Sequence, residues 1–262
     1  VKKYFNVPKV QIVVILFLFF LLQASLMGIQ TAFSLFALCV GLTVFFDILF
    51  TYLRRRVFFD KPFAAIVTGL ILTLIIDPSA TWYQIAVIVA GAMATKNFLR
   101  ISRHIFNPAA SGLLLGWVFF KLNPSWWAAT LHRGDNAQIF NIALYILLFL
   151  IALVSLRRLG KYYAVMTYVV LYGLLSMVFF SSSPMSVFQT AIGPGVLFYA
   201  LLMLPEPMTS PVKKLRQVFY GAFVALAQML LVVMSTRLAF VNPPDFTIIA
   251  LLLGNLLFFK YR

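Results

Sequence analysis

Two carboxylates stand directly before prolines at the ends of short apolar runs: Asp77 in LIIDPSA and Glu206 in LMLPEPMTSP. A carboxylate at membrane depth or at its edge is costly unless it is paired or hydrated, so both are candidates for binding work. A third concentration of polar chemistry is KNFLRISRHIFN, Lys96 to Asn107. A guanidinium offers forked donors suited to phosphate or to a carbonyl-rich ring, and a helix starting at Pro108 would add the positive potential of its N-terminus. Within this stretch Arg103, His104 and Asn107 are the residues placed to touch a ligand. Asn107 also reads as a helix cap with Pro108 in the favoured first position. The single cysteine, Cys39, excludes a disulfide within the chain, and with only His104 and His132 beside it no His/Cys metal site is expected.

The elements that must hold these residues are set by composition. The 262 residues are 63% hydrophobic and 10% charged, with mean hydropathy +1.00. Soluble domains carry about 25% charge, so an all-α polytopic membrane protein is expected. Apolar runs cover approximately 10 to 29, 31 to 53, 63 to 76, 81 to 95, 109 to 120, 138 to 156, 162 to 180, 188 to 204, 217 to 236 and 246 to 259. They lack the alternation of barrel strands, and a chain in lipid must satisfy its own backbone hydrogen bonds, so they read as about ten transmembrane helices. The first run is too long for a signal peptide and shows no clear cleavage site.

Charge gives orientation. Of the 21 Lys and Arg, all but Lys121, Arg133 and Arg237 fall at the termini or in every second loop. Basic residues are kept on the cytoplasmic side, so the formal charge of +15 reads as topology and not as a nucleic-acid footprint. Both termini are then cytoplasmic in a multi-pass membrane protein. Asp77 falls on the outer side and Glu206 on the basic side, so they do not form a catalytic carboxylate pair. Asp47 is expected to meet the Arg54 to Arg56 cluster, and Trp126 and Trp127 to act as interface anchors.

The halves of this single membrane domain, about 1–131 and 132–262, repeat a pattern. Asp77-Pro78 answers Glu206-Pro207, Asn107-Pro108 answers Asn242-Pro243, and a last run with Leu-Leu-Leu-Gly closes each half. Five runs per half is an odd number, so the second half must run through the membrane upside down: two inverted five-helix repeats. Short or Gly/Pro-broken runs, here the third, fifth and eighth, aim helix ends at a central site in such architectures. A channel or transporter for a small polar solute is the reading these features allow from outside redox chemistry.

Two stretches, RISRHIFNPAASGLLLG (Arg100 to Gly116) and LMLPEPMTSPVKKLRQVFYGAFVALAQ (Leu202 to Gln228), resemble the NqrB/RnfD family, whose members are membrane components of the sodium-pumping NADH:quinone reductase and of the Rnf electron-transport complex. The resemblance implies a flavin-carrying membrane component of an NADH-linked oxidoreductase, passing electrons across the bilayer with coupled Na+ or H+ movement. It places Arg103, His104, Asn107 and the Glu206 to Ser210 turn, with Thr209, in the lining around flavin or quinone; Asp77 stays a cofactor-binding candidate on its carboxylate alone. Members of that family attach FMN to Thr in a Ser-Gly-Ala-Thr motif. The corresponding loop here, FSSSPMSVFQTAIGPG, lacks it, so a noncovalent flavin (FMN or riboflavin) is expected, with Thr190 and Ser186 the substitutes by location. Implied partners are other electron-transport subunits or a fused FAD/NAD reductase domain. The chain opens on Val1 and stops at Arg262 just after the last run, which suits either N-terminal processing or a piece of a longer protein followed by such a domain.

Overall fold

The computed structural model describes residues 7–56, 62–132, 137–180, 189, 191–238 and 243–261. Among them the chain is helical, apart from one minimal hairpin. The helices are α1 (Pro8–Met27), α2 (Ile29–Arg55), α3 (Phe63–Ile75), α4 (Trp82–Phe98), α5 (Pro108–Phe120), α6 (Ala137–Ala152), α7 (Tyr162–Phe180), α8 (Pro194–Phe198), α9 (Lys214–Leu238) and α10 (Phe246–Phe258). Two of them loosen into π-helix at their C-terminal ends: α6 through Leu153–Arg158 and α8 through Tyr199–Met203. Strands β1 (Arg100–Ile101) and β2 (Arg103–His104) pair antiparallel, with Ser102 at φ 60° turning the tip.

Among the described residues five helices, α1, α2, α6, α7 and α9, are long and apolar enough to cross a membrane, and shorter apolar helices accompany them. Large side chains such as Ile139 (70% exposed) and Val178 (73%) point outward from α6 and α7. In water such surfaces would be a liability; against lipid tails they cost nothing. The molecule is a multi-pass membrane protein.

Helix packing divides the molecule. α2 lies on α3 and α4, α4 on α5, and α1 on α3; α7 lies on α9, α9 on α10, and α6 on α8. Two pairs join these groups, α1 with α6 and α5 with α10. In the second pair the start of α5 meets the end of α10, since the Asn107 N–H donates to Asn255 Oδ1 at 2.8 Å. At the other end Leu113, Leu114 and Trp117 share a crevice with Asp245 and Ile248. These two helices are therefore antiparallel.

Two local expectations are corrected. Asp47 turns from the arginine cluster to α4, accepting from Lys96 Nζ at 2.9 Å and Asn97 Nδ2 at 3.1 Å. It lies on the buried face of α2, whereas Arg55 and Arg56 are exposed at its end. Trp126 and Trp127 are half-buried and face inward: their indole N–H groups donate to Asp245 Oδ2 (2.7 Å) and to the Thr73 carbonyl (2.9 Å). A buried indole N–H needs an acceptor, and the protein supplies it. The cap of α10 is Asp245, whose Oδ1 accepts from the Thr247 and Ile248 amides. Asn242, expected to answer Asn107, lies outside the described residues.

Candidate functional site

The residues singled out by their chemistry converge at one end of the bundle. The β1–β2 hairpin leaves α4 after Phe98 and returns the chain at His104, which is buried, while Arg103 on the same strand is exposed. On the other side, α8 ends in π-helix and the chain turns at Pro205-Glu206-Pro207. Two prolines cannot continue a helix, and the Glu206 carbonyl closes the turn by accepting the Thr209 (3.1 Å) and Ser210 (3.0 Å) amides. His104 Nε2 and Glu206 Oε1 then meet at 3.0 Å across 102 residues of sequence. An ionised carboxylate only accepts, so the imidazole nitrogen facing it is the donor. The Thr209 hydroxyl donates to Glu206 Oε2 at 3.0 Å and the Ser210 hydroxyl to the Glu206 carbonyl at 2.8 Å.

Asn107 ties the hairpin to both groups of helices. Its Oδ1 caps α5 by accepting from the Ala110 amide (3.0 Å), its Nδ2 donates to the Met203 carbonyl (3.3 Å), and Asn255, which holds its backbone N–H, donates in turn to the Tyr220 hydroxyl (2.9 Å). A Ser, Thr, Asn or Asp cap is worth about 1 kcal/mol, and a further buried hydrogen bond about the same. Asn107→Ala is therefore expected to lower stability by about 2 kcal/mol, and Asn107→Asp, which keeps the cap acceptor, by less. Detergent-solubilised protein unfolded by denaturant reads the difference; equal losses would deny the cap its share.

His104, Asn107 and Glu206 border a cavity of about 450 Å³. Its walls are largely apolar, drawn from α1 (Ile12), α3 (Val67, Ile71) and the π-helical ends of α6 and α8 (Ser155, Leu202), with Pro205 to Met208 along one side. Lys9 adds positive charge, whereas Lys96, also on the wall, is paired with Asp47. Small-molecule sites have this form: roughly 300–1,000 Å³, mostly apolar, with a few convergent polar groups. Both π-helical segments among the described residues abut it, and such distortions gather at functional sites. A further charged residue, Lys161, is buried beside the Glu206 turn.

The structure thus gathers His104, Asn107, Glu206, Thr209 and Ser210, and leaves Arg103 on the adjacent surface. Asp77 is elsewhere. It forms the turn after α3, accepting from the Ser79 amide (2.8 Å) and hydroxyl (2.6 Å), next to the segment that carries Trp126 and Trp127. Thr190 and Ser186 lie outside the described residues. The sequence reading missed Lys161 and Asn255. Asn255 had a signal, being the polar residue set within the apolar run LLLGNLLFF; Lys161 was masked by its place in a basic loop.

Compared with known families, residues 2–143 match the family described as NQR2, RnfD, RnfE. The matched region takes in α1 to α5, and with them the hairpin, His104 and Asn107. Among curated proteins none matches the chain.

Proposed function

Since the chain belongs to the NQR2, RnfD, RnfE family, associated with membrane subunits of Na+-translocating and Rnf electron-transport complexes, we propose that its cavity holds a noncovalent flavin ring through which electrons cross the membrane domain. The observation that carries this reading is the His104–Glu206 pair at the cavity wall, joining two helical groups around a space of ring size. The residues present fit such a group: apolar walls for a planar ring, Asn107 and His104 for its polar edge, and Lys9 for a negative charge. When bound, flavin would accept and pass on electrons, which no side chain here does as readily. The chain's own part is to exclude water and to orient the ring against the His104–Glu206 pair.

The architecture behind this reading is ten crossings in two inverted five-helix halves, with both termini on the cytoplasmic side of an inner membrane. What supports the inversion is the antiparallel meeting of α5 with α10, and the correspondence of the packing pairs α2–α4 with α7–α9 and α4–α5 with α9–α10. Cap and glycine also agree in spacing, Asn107 to Gly116 and Asp245 to Gly254. Electrons would enter from a cytoplasmic partner, another subunit or a reductase domain carrying FAD and NAD, and leave towards an acceptor outside; coupling to Na+ or H+ movement belongs to the same reading.

An absorption spectrum tests it. Purified protein is expected to show flavin bands, to release the flavin on denaturation, and to leave no fluorescent band on a denaturing gel. Protein without flavin that also takes up none when FMN or riboflavin is added would overturn the proposal.

A further inference from the structure

Lys161 sits among exposed basic residues, yet it is itself 3% exposed. Its Nζ donates to the Ser210 carbonyl at 3.2 Å and the Pro211 carbonyl at 2.7 Å. Gln217, at the start of α9, reinforces the same junction: its Nε2 donates to the Gly160 carbonyl (3.0 Å) and the Val212 carbonyl (2.9 Å). These two side chains tie the loop between α6 and α7 to the turn that carries Glu206, Thr209 and Ser210. The preceding residues of that turn, Pro205 to Met208, form cavity wall. Both chain segments entering the junction are π-helical, Leu153–Arg158 and Tyr199–Met203, and they touch each other. π-Helix is seldom self-sustaining, so its position leans on contacts outside it.

Positive-inside topology accounts for an exposed lysine but not for a buried one. Among the described residues no carboxylate lies within ion-pair distance of Lys161. Its partners are carbonyl oxygens, whose hydrogen bonds are strongest when the donor is charged. We infer that Lys161 is a positioning residue for the cavity: its ammonium group clamps the Glu206 turn, and loss of its proton loosens both the turn and the cavity's hold on its ligand. The ligand half of this inference rests on the flavin reading above; the clamp half stands on the hydrogen bonds alone.

Burial, helped by repulsion from Arg103, brings the proton affinity of Lys161 down from 10.5 to about 8. The other charged or titratable groups on the elements packed around it include His104 on the hairpin, Glu206 and Lys213 on the turn segment, Arg157 and Arg158 on its own loop, Tyr162 and Tyr163 at the start of α7, Tyr199 on the π-helical end of α8, and Lys214, Arg216 and Tyr220 on α9. The sign of the linkage is informative. Between pH 8 and 10.5 the unfolded chain binds the Lys161 proton and the folded chain does not, so this residue makes global stability rise with pH in that window. The clamp weakens over the same window. A residue that only packed would move neither quantity with pH.

Hydrogen–deuterium exchange of peptides spanning residues 204–213 tests the clamp, in wild type, Lys161→Arg and Lys161→Met, from pH 6.5 to 9.5 and corrected for intrinsic rates. Free FMN, titrated by fluorescence quenching in parallel, tests the link to the cavity. In wild type, protection of the Thr209 and Ser210 amides is expected to fall about fivefold between pH 7 and 9.5 relative to α4 peptides, and FMN affinity to fall with it. Lys161→Arg, which keeps its charge, is expected to be flat with pH, and Lys161→Met to be unprotected throughout. Equal protection in wild type and Lys161→Met at pH 7, or a wild-type profile flat with pH, overturns the clamp. If the exchange behaves as expected and wild type binds neither FMN nor riboflavin at any pH, the clamp stands and the flavin reading falls. Protection that changes while FMN affinity does not would overturn the coupling. Should Lys161→Met fail to fold, the wild-type profile against Lys161→Arg decides.

Discussion

Glu206→Ala is expected to weaken FMN binding about tenfold or more and to lower stability by about 2 kcal/mol, the loss typical of a hydrogen bond to a charged group. Its side chain is 22% exposed and that of His104 9%, so the pair is only partly screened by solvent. Truncation removes the acceptor of two donors at once, the His104 imidazole and the Thr209 hydroxyl. Leaving such donors unanswered in a low-dielectric wall costs more than the bond contributed when made. Glu206→Gln keeps an acceptor oxygen and the volume, and should lose about half as much. A double-mutant cycle with His104→Ala separates the contact from side effects, with a coupling of about 1–2 kcal/mol expected for a directly bonded pair. Zero coupling would mean the two residues are merely adjacent. A stability loss without any change in FMN affinity would assign the pair to the fold alone and remove it from the site.

The apolar helices were legible because lipid imposes one requirement on every crossing, an unbroken apolar run, and the chain marks most ends with charge or proline. The third run, placed at 63 to 76, is α3 at Phe63–Ile75, and the seventh agrees at both ends. Of the eighth, placed at 188 to 204, the described part holds α8 from Pro194, because Gly193-Pro194 can open a helix but not sit inside one, while residues 188 and 190 lie outside the described residues. π-Helix has no pattern of its own: Leu153–Arg158 and Tyr199–Met203 read as ordinary helix ends. His104 and Glu206 stood out individually because polar residues are rare in such a chain. Their contact did not, since it depends on how the two halves face each other. Lys161 was hidden for a different reason. Composition assigns a lysine near other basic residues to topology, and only its burial shows that it serves something else.

Gly221→Ala is expected to be among the most damaging single-methyl additions, at about 3 kcal/mol, while Gly41→Ala is neutral or slightly stabilising because alanine is the better helix former. A Cβ at Gly221 on α9 would collide with the Ala164 carbonyl oxygen on α7 and stand 3.1 Å from its carbon and 3.2 Å from the Tyr168 nitrogen, whereas a Cβ at Gly41 meets nothing within 4 Å. Backbone cannot swing aside as a side chain can, so the helices must separate. Membrane helices gain little from excluding water and rely on close approach of this kind. Separation would also stretch the Tyr168 hydroxyl from Gln228 Oε1, now 2.6 Å away, across the same interface. The damage should reach the cavity, because Lys161 immediately precedes α7 and Gln217 lies one turn before Gly221 on α9; moving α7 against α9 pulls both ties of the Glu206 turn. Unfolding in mixed detergent and FMN titration should therefore fall together for Gly221→Ala and stay at wild-type values for Gly41→Ala. Equal stability of the two variants would show that α7 and α9 can separate without cost, and a destabilised Gly221→Ala with full FMN affinity would show that the cavity does not depend on their approach.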